Sequence, residues 1–85
     1  MSAGMGMRVE ILYFAALRDV AGIASEYLET DAPHLSALYA AVQARHALPF
    51  PQQQLRVAVD GVFAGWDDAV RAGSTIAFIP PVSGG

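Results

Sequence analysis

The sequence predicts an α+β fold, a mixed sheet of about five strands with one main helix packed on one face. Three observations point to it. Leu35, Leu38, Tyr39 and Val42 recur at i, i+3, i+4 and i+7, which places one apolar stripe along a helix. Short alternating runs lie on either side of that helix, with Val9, Ile11 and Tyr13 before it and Leu55, Val57 and Val59 after it. Asp60-Gly61 then stands between two such runs as a strong two-residue hairpin signal.

Taken in order, Arg8 to Phe14 reads as the first strand, with Val9, Ile11 and Tyr13 on one face. Its other face passes from Arg8 and Glu10 to Leu12 and Phe14, so the far end of the strand is expected to be apolar on both sides. Ala15 to Ala21 reads as a short helical turn closed by Gly22. Ser25 to Thr30 is a second strand, with Glu26, Leu28 and Thr30 facing away from Ser25, Tyr27 and Glu29. Asp31 offers an N-cap and Pro33 a first-turn position where its missing N–H costs nothing, opening a helix of about 13 residues.

That helix is expected to stop before Pro49, and Phe50-Pro51 with the glutamines that follow reads as a loop. Leu55 to Val59 is the third strand, turning through Asp60-Gly61 into a short fourth strand that begins Val62-Phe63. Trp66 to Ala72 reads as a loop or a single helical turn with Asp67 available as its cap, ended by Gly73. Thr75 to Ile79 is the last strand, terminated by Pro80-Pro81. The element order is that of a β-grasp, or ubiquitin-like, fold. It implies one domain over residues 7–80, a flexible extension over 1–6 and an extended functional tail over 81–85, and Met5 or Met7 could also start the chain.

Composition narrows the function. Eighty-five residues allow one small domain, and 54% hydrophobic against 15% charged residues leaves more apolar surface than one small core can hide. Some of that surplus is expected to form an interface. Cysteine is absent, which removes disulfides, thiolate metal sites and a cysteine nucleophile. His34 and His46 have no acidic residue at ligand spacing, so no metal site is expected and both read as surface positions of one helix. The net charge is −3 and the five arginines, Arg8, Arg18, Arg45, Arg56 and Arg71, are scattered, giving no footprint for nucleic acid. Lysine is also absent. An arginine- and alanine-favouring composition is the favoured reading of this, the alternative being that it spares an activated C-terminus from acylating its own chain. No apolar run nears the ~20 residues of a membrane span and no signal-peptide pattern opens the chain, so a cytoplasmic protein is expected.

The informative segment is Pro80-Pro81-Val82-Ser83-Gly84-Gly85. Two prolines cannot donate to a sheet ladder and favour an extended course, so the chain is expected to leave the domain as a stiff arm. From Pro81 to Gly85 the arm reaches at most about 16 to 18 Å, and its last two residues present only backbone, which suits insertion into a narrow channel of another protein. Near its root, alternation sets Phe14 opposite Ile11 and separates Ile79 from the expected core pair Ile76 and Phe78. Phe14 and Ile79 are therefore candidates for the outer surface, the alternative being that they finish the core. Asp67 and Asp68 are adjacent in a loop and do not converge as an acid–base pair would, so capping is the expected role. Trp66 could join an interface or pack at the domain edge.

These residues carry a resemblance. Phe14-Ala15-Ala16-Leu17-Arg18-Asp19 with Gly22, then Ala58-Val59-Asp60, then Gly73 and Ile76 through Gly85 are similar to the MoaD family of sulfur carriers, the small subunits of molybdopterin synthase. The resemblance spans nearly the whole domain, and the C-terminal block is its most specific part. It implies that the chain has no catalytic site of its own and works through Gly85. An E1-like, MoeB-like enzyme joins the Gly85 carboxylate to AMP, and a persulfide sulfurtransferase supplies the sulfur that turns it into a thiocarboxylate. The MoaE-like large synthase subunit then takes that sulfur to a pterin precursor in molybdenum cofactor biosynthesis. No resident cofactor is implied, only the transient AMP and thiocarboxylate.

By the same resemblance Pro80, Pro81, Val82, Ser83 and Gly84 form the inserting tail, and Phe63 joins Phe14 and Ile79 as a partner contact. Arg18 matches an arginine that meets partners in the family, though the residue alone reads equally as a solvated side chain. Two positions depart from the pattern. Asp60 stands where the family commonly has asparagine, and Ile79 replaces the second of two aromatics before the proline pair. The alternatives are a related ubiquitin-like carrier serving thiamine, cysteine or tRNA thiolation, a protein modifier that forms isopeptide bonds, and a β-grasp binding module with an inert tail.

Overall fold

Seven elements of regular structure and one 3-10 turn follow one another in the computed structural model, which describes residues 6–81. They are β1 (Met7–Tyr13), α1 (Ala16–Ala21), β2 (Ser25–Thr30), α2 (Leu35–His46), the 3-10 turn Gln52–Gln54, β3 (Arg56–Val59), β4 (Val62–Ala64) and β5 (Thr75–Ile79). The extension expected over 1–6, apart from Gly6, and the tail beyond Pro81 lie outside the described residues.

The strands form one sheet in the order β2-β1-β5-β3-β4. The central pair β1 and β5 is parallel, with Ile11 beside Ile76 and Tyr13 beside Phe78, and every other pairing is antiparallel. This is the β-grasp arrangement that the element order predicts. Because β1 and β5 run the same way, Phe14 just after β1 and Ile79 at the end of β5 emerge at the same edge of the sheet.

Alternation along the strands decides what is covered. Val9, Ile11, Tyr13, Val57, Ile76 and Phe78 are all buried, and against them α2 packs its stripe of Leu35, Leu38, Tyr39 and Val42. Leu17 on α1, Ala32, Leu48, Leu55 and Val70 belong to the same cluster. Aromatic contacts tie its centre together. Tyr39 meets Phe78 edge-on at 5.0 Å between ring centroids, and Trp66 lies parallel to Phe78 at 6.0 Å. Trp66 is thus packed against the core, the domain-edge alternative of the two that its sequence position allows.

The turns hold their expected chemistry with some corrections. Asp60 and Gly61 both take positive φ, 51° and 86°, the backbone of a two-residue turn whose twist matches its strands. Gly22 closes α1 in the left-handed region at φ 81°. The cap of α2 is His34 rather than Asp31. Its extended backbone turns the ring back so that Nδ1 accepts the Ala37 N–H at 3.2 Å, while Asp31 and Pro33 lie upstream of the first helical residue, Leu35. Residues 66–72 form turns rather than a helical turn capped by Asp67. Asp68 closes them, its carboxylate accepting the Gly65 N–H at 2.9 Å. The glutamines after Pro51 wind into the 3-10 turn, pinned where Gln52 Oε1 accepts the Ser36 hydroxyl.

Among the described residues no helix is long and apolar enough to cross a membrane.

Candidate functional site

The face of the sheet away from α2 divides into two halves. At one end, β1 and β2 place Arg8, Glu10, Tyr27 and Glu29, with the Arg8 guanidinium carbon 4.8 Å from the Tyr27 ring centroid. Toward the end where β5 gives way to Pro80, the outward residues become Leu12, Phe14, Ala58, Phe63, Ala77 and Ile79. These line a shallow depression of about 250 Å³.

Its construction follows from register. Ala58 on β3 lies between Ala77 on β5 and Phe63 on β4, so two small side chains form a floor and the Phe63 ring forms a wall. Leu12 stands beside Ala77 on the other side, with Phe14 and Ile79 at the tail end. Phe14 is 45% and Phe63 62% exposed, while Ile79 is half-buried. The alternative position, inside the core, is therefore excluded for Phe14 and Phe63, and Ile79 lies on the hollow's side of the sheet without joining the core cluster. An apolar hollow flanked by two exposed phenyl rings has the composition of a docking surface for another protein.

A second depression, lined by Leu55, Arg56, Phe63, Ile79, Pro80 and Pro81 among others, lies where the chain leaves the sheet. The root of the tail is thus bordered by the two residues, Phe63 and Ile79, that also wall the first hollow. Val82, Ser83, Gly84 and Gly85 lie outside the described residues. Arg18 is exposed on α1, and it is not among the residues lining either hollow. Asp60 does the work available to an asparagine side-chain oxygen, its Oδ1 accepting the Thr75 N–H at 2.9 Å. No role in the fold therefore requires the amide.

One polar cluster escapes sequence reasoning. Glu26 projects from β2 under the end of α2, where its Oε2 accepts from the Tyr13 hydroxyl at 2.5 Å and from His46 Nε2 at 2.6 Å. Arg45 Nε lies 3.3 Å from the other oxygen. Burial alone would raise the Glu26 pKa, but the hydrogen bonds from Tyr13 and His46 and the charges around it outweigh that and hold it below its ordinary value. Tyr13 is pushed the opposite way, by burial first and then by the carboxylate it serves. The two histidines are accordingly not simple surface positions. His34 caps α2 and His46 braces its last turn against β2. The spacing of 20 residues between Glu26 and His46 holds no local pattern that could have revealed the contact. Among the described residues no three His, Asp or Glu side chains gather as a metal site would need.

Comparison with known proteins matches residues 11–85 to the ThiS family. The molybdopterin synthase sulfur carrier subunit of Escherichia coli (strain K12) is 32% identical over 80 residues, covering 91% of this chain and 99% of that protein. The corresponding subunit of Chlamydomonas reinhardtii is 35% identical over 83 residues, covering 93% and 100%. Among solved structures, the small archaeal modifier protein 1 of Haloferax volcanii superposes with a TM-score of 0.77 at 25% identity, covering 91% of this chain and all of that one.

Proposed function

The chain belongs to the ThiS family, and we propose that within it this protein is the sulfur carrier subunit of molybdopterin synthase, acting through Gly85. The observation that carries the reading is the placement of an exposed apolar hollow at the root of the tail, shared between Ile79 and Phe63, in a chain similar over nearly its whole length to two carriers of that name. The hollow docks the domain, and the arm from Pro80 delivers the terminus.

The chemistry asked of Gly85 follows from what a carboxylate lacks. It is a poor acyl donor, so an E1-like enzyme transfers AMP from ATP to one of its oxygens and releases pyrophosphate. A persulfide sulfur then attacks the acyl carbon and AMP leaves. A thiol cleaves the resulting acyl disulfide at the donor's sulfur, freeing the thiocarboxylate. This group holds a sulfur nucleophile in a chain without cysteine. In the large subunit the sulfur passes to the pterin precursor and hydrolysis returns the carboxylate. We assign these steps to the cytoplasm, where ATP is available.

The decisive experiment removes Gly85. The truncated chain should melt like the full chain, because the arm lies beyond the last strand, and should transfer no sulfur in an assay reconstituted with the activating enzyme, a persulfide donor and the large subunit. Sulfur transfer by the truncated chain would sink the mechanism.

The likeness to a protein named as a modifier supports a second reading, attachment of Gly85 to lysines of other proteins. With no lysine of its own the chain could not extend itself through that bond. Mass spectrometry of the host's protein separates the two readings. A terminus with sulfur in place of oxygen marks the carrier, and lysine-linked adducts mark the modifier.

A further inference from the structure

Two arginines lie on the open face of the sheet, each over an aromatic ring, and their surroundings otherwise differ. Arg8, over Tyr27, stands directly across from Glu29 on β2, with Glu10 two residues along its own strand. Its charge is set among acids. Arg56 stands across from Ile79 on β5, and its other close neighbour is Phe63, diagonally placed on β4. Its guanidinium carbon lies 5.4 Å from the Phe63 ring centroid. The ion pairs among the described residues are those of Glu26 with Arg45 and His46, so an aromatic face rather than a carboxylate answers the charge of Arg56.

That geometry has two consequences. A guanidinium over a ring face is attracted by the ring quadrupole, which favours Phe63 staying beside Arg56, where it lines both hollows. The five donors of the guanidinium are not used by a ring contact and stay available for hydrogen bonds. Arg56 is itself exposed and lines the hollow shared with Pro80 and Pro81. Here the local charge prevails over the overall one. The net charge of −3 is spread over the whole chain, and exposed charges farther off than about 8 Å are largely screened at physiological salt, so a partner group touching the tail root meets the guanidinium.

We infer that Arg56 is a positioning residue of the docking surface, holding Phe63 in place and pairing with a carboxylate on the protein that receives the tail. The inference rests on the docking role proposed for the hollow. The partner it fits presents an apolar ridge for the hollow between Phe14 and Phe63 and an Asp or Glu beside the channel that takes the arm. Arginine suits that place better than lysine because it offers two parallel hydrogen bonds to a carboxylate while remaining stacked.

The test measures binding of the full chain to the host's molybdopterin synthase large subunit by calorimetry at low and high salt, for the wild type, Arg56→Gln, Arg56→Lys and Phe14→Glu, with melting curves for each. Arg56→Gln should melt like the wild type and bind about fivefold more weakly at low salt, the scale of an exposed charged pair. High salt should narrow that deficit, and Arg56→Lys should recover part of it. If Arg56→Gln binds with unchanged affinity and salt dependence while Phe14→Glu has lost binding, the inference is wrong and the docking face stands. A deficit that salt leaves unchanged and lysine does not repair also overturns it, because no charge pairing is then involved. Unchanged binding by Phe14→Glu as well would bring down the docking reading itself.

Discussion

The two faces of the sheet are made from the same strands, one residue apart, and meet opposite fates. On the covered face Val9, Ile11, Tyr13, Val57, Ile76 and Phe78 are sealed by α2. On the open face the neighbouring residues Leu12, Ala58, Ala77 and Ile79, with Phe14 and Phe63 beside them, are equally apolar, and among the described residues no helix lies over them, the two alanines being buried by the side chains around them. A domain this small has one long helix to spend on cover, and it covers one side. The aliphatic residues of the other side lie toward the end from which the tail departs, while the far end carries Arg8, Glu10 and Glu29 around the Tyr27 ring. Hydrophobicity by itself therefore does not mark the core. Position relative to α2 does, and two of the exposed large apolar side chains, Phe14 and Phe63, stand where the proposed function needs a partner.

Substitutions on the two faces can break this contrast. The largest effect is expected on the covered side. Phe78→Ala removes a ring that touches both Tyr39 and Trp66 and should cost about 3–5 kcal/mol, a large share of the stability of a domain this size. Urea denaturation measures it, and a cost below about 1 kcal/mol would show that the centre of the core lies elsewhere.

Next in size is Phe14→Glu on the open side. It should shift stability by no more than about 0.5 kcal/mol while weakening binding to the large subunit at least about tenfold. A fall in melting temperature without loss of affinity would move Phe14 to the core and erase the distinction between the faces.

A comparable effect belongs to the polar rim of the covered side, where Glu26 is 12% and His46 15% exposed. Glu26→Gln should cost about 1–2 kcal/mol at neutral pH, the scale of charge-assisted hydrogen bonds. The folded pKa of Glu26 is lowered, so its contribution is complete above its ordinary value of 4.5 and is lost as pH falls through the lower, folded value. The stability gap between wild type and Glu26→Gln should accordingly close in that acid window. A gap that stays constant down the acid limb would mean that the carboxylate charge contributes nothing.

Much of this was legible in local patterns. The period-two runs located the strands to within a residue or so, the stripe from Leu35 to Val42 located the main helix, and Asp60-Gly61 named its turn type. Local patterns failed at the two ends of the main helix and where a side chain answers to something distant, as Glu26 does to His46. His34 displaced Asp31 as the cap because the chain over Asp31 to Pro33 runs outside the helix, and a histidine nitrogen can accept an N–H as an aspartate oxygen does. Ala47 closes α2 in the left-handed region at φ 53°, a place where a glycine would have announced the helix end. The hollow was legible in part. Phe14 and Ile79 read as outward by alternation, but Ala58 and Ala77 become its floor only through the pairing of β3 with β5.

By itself the sequence determined which residues alternate, where the long helix runs, and that the chain carries a proline-stiffened Gly-Gly end in place of any cysteine or converging acid–base pair. Those are short-range properties, set by backbone sterics and the spacing of apolar side chains. The tertiary structure decided which alternating set was covered, that Glu26 would meet Tyr13 and His46, and that Phe14, Phe63 and Ile79 would gather at the root of the tail. The reason is register. The parallel pairing of β1 with β5 joins the two ends of the chain, and no pattern within either strand records which residues of the other it will lie beside.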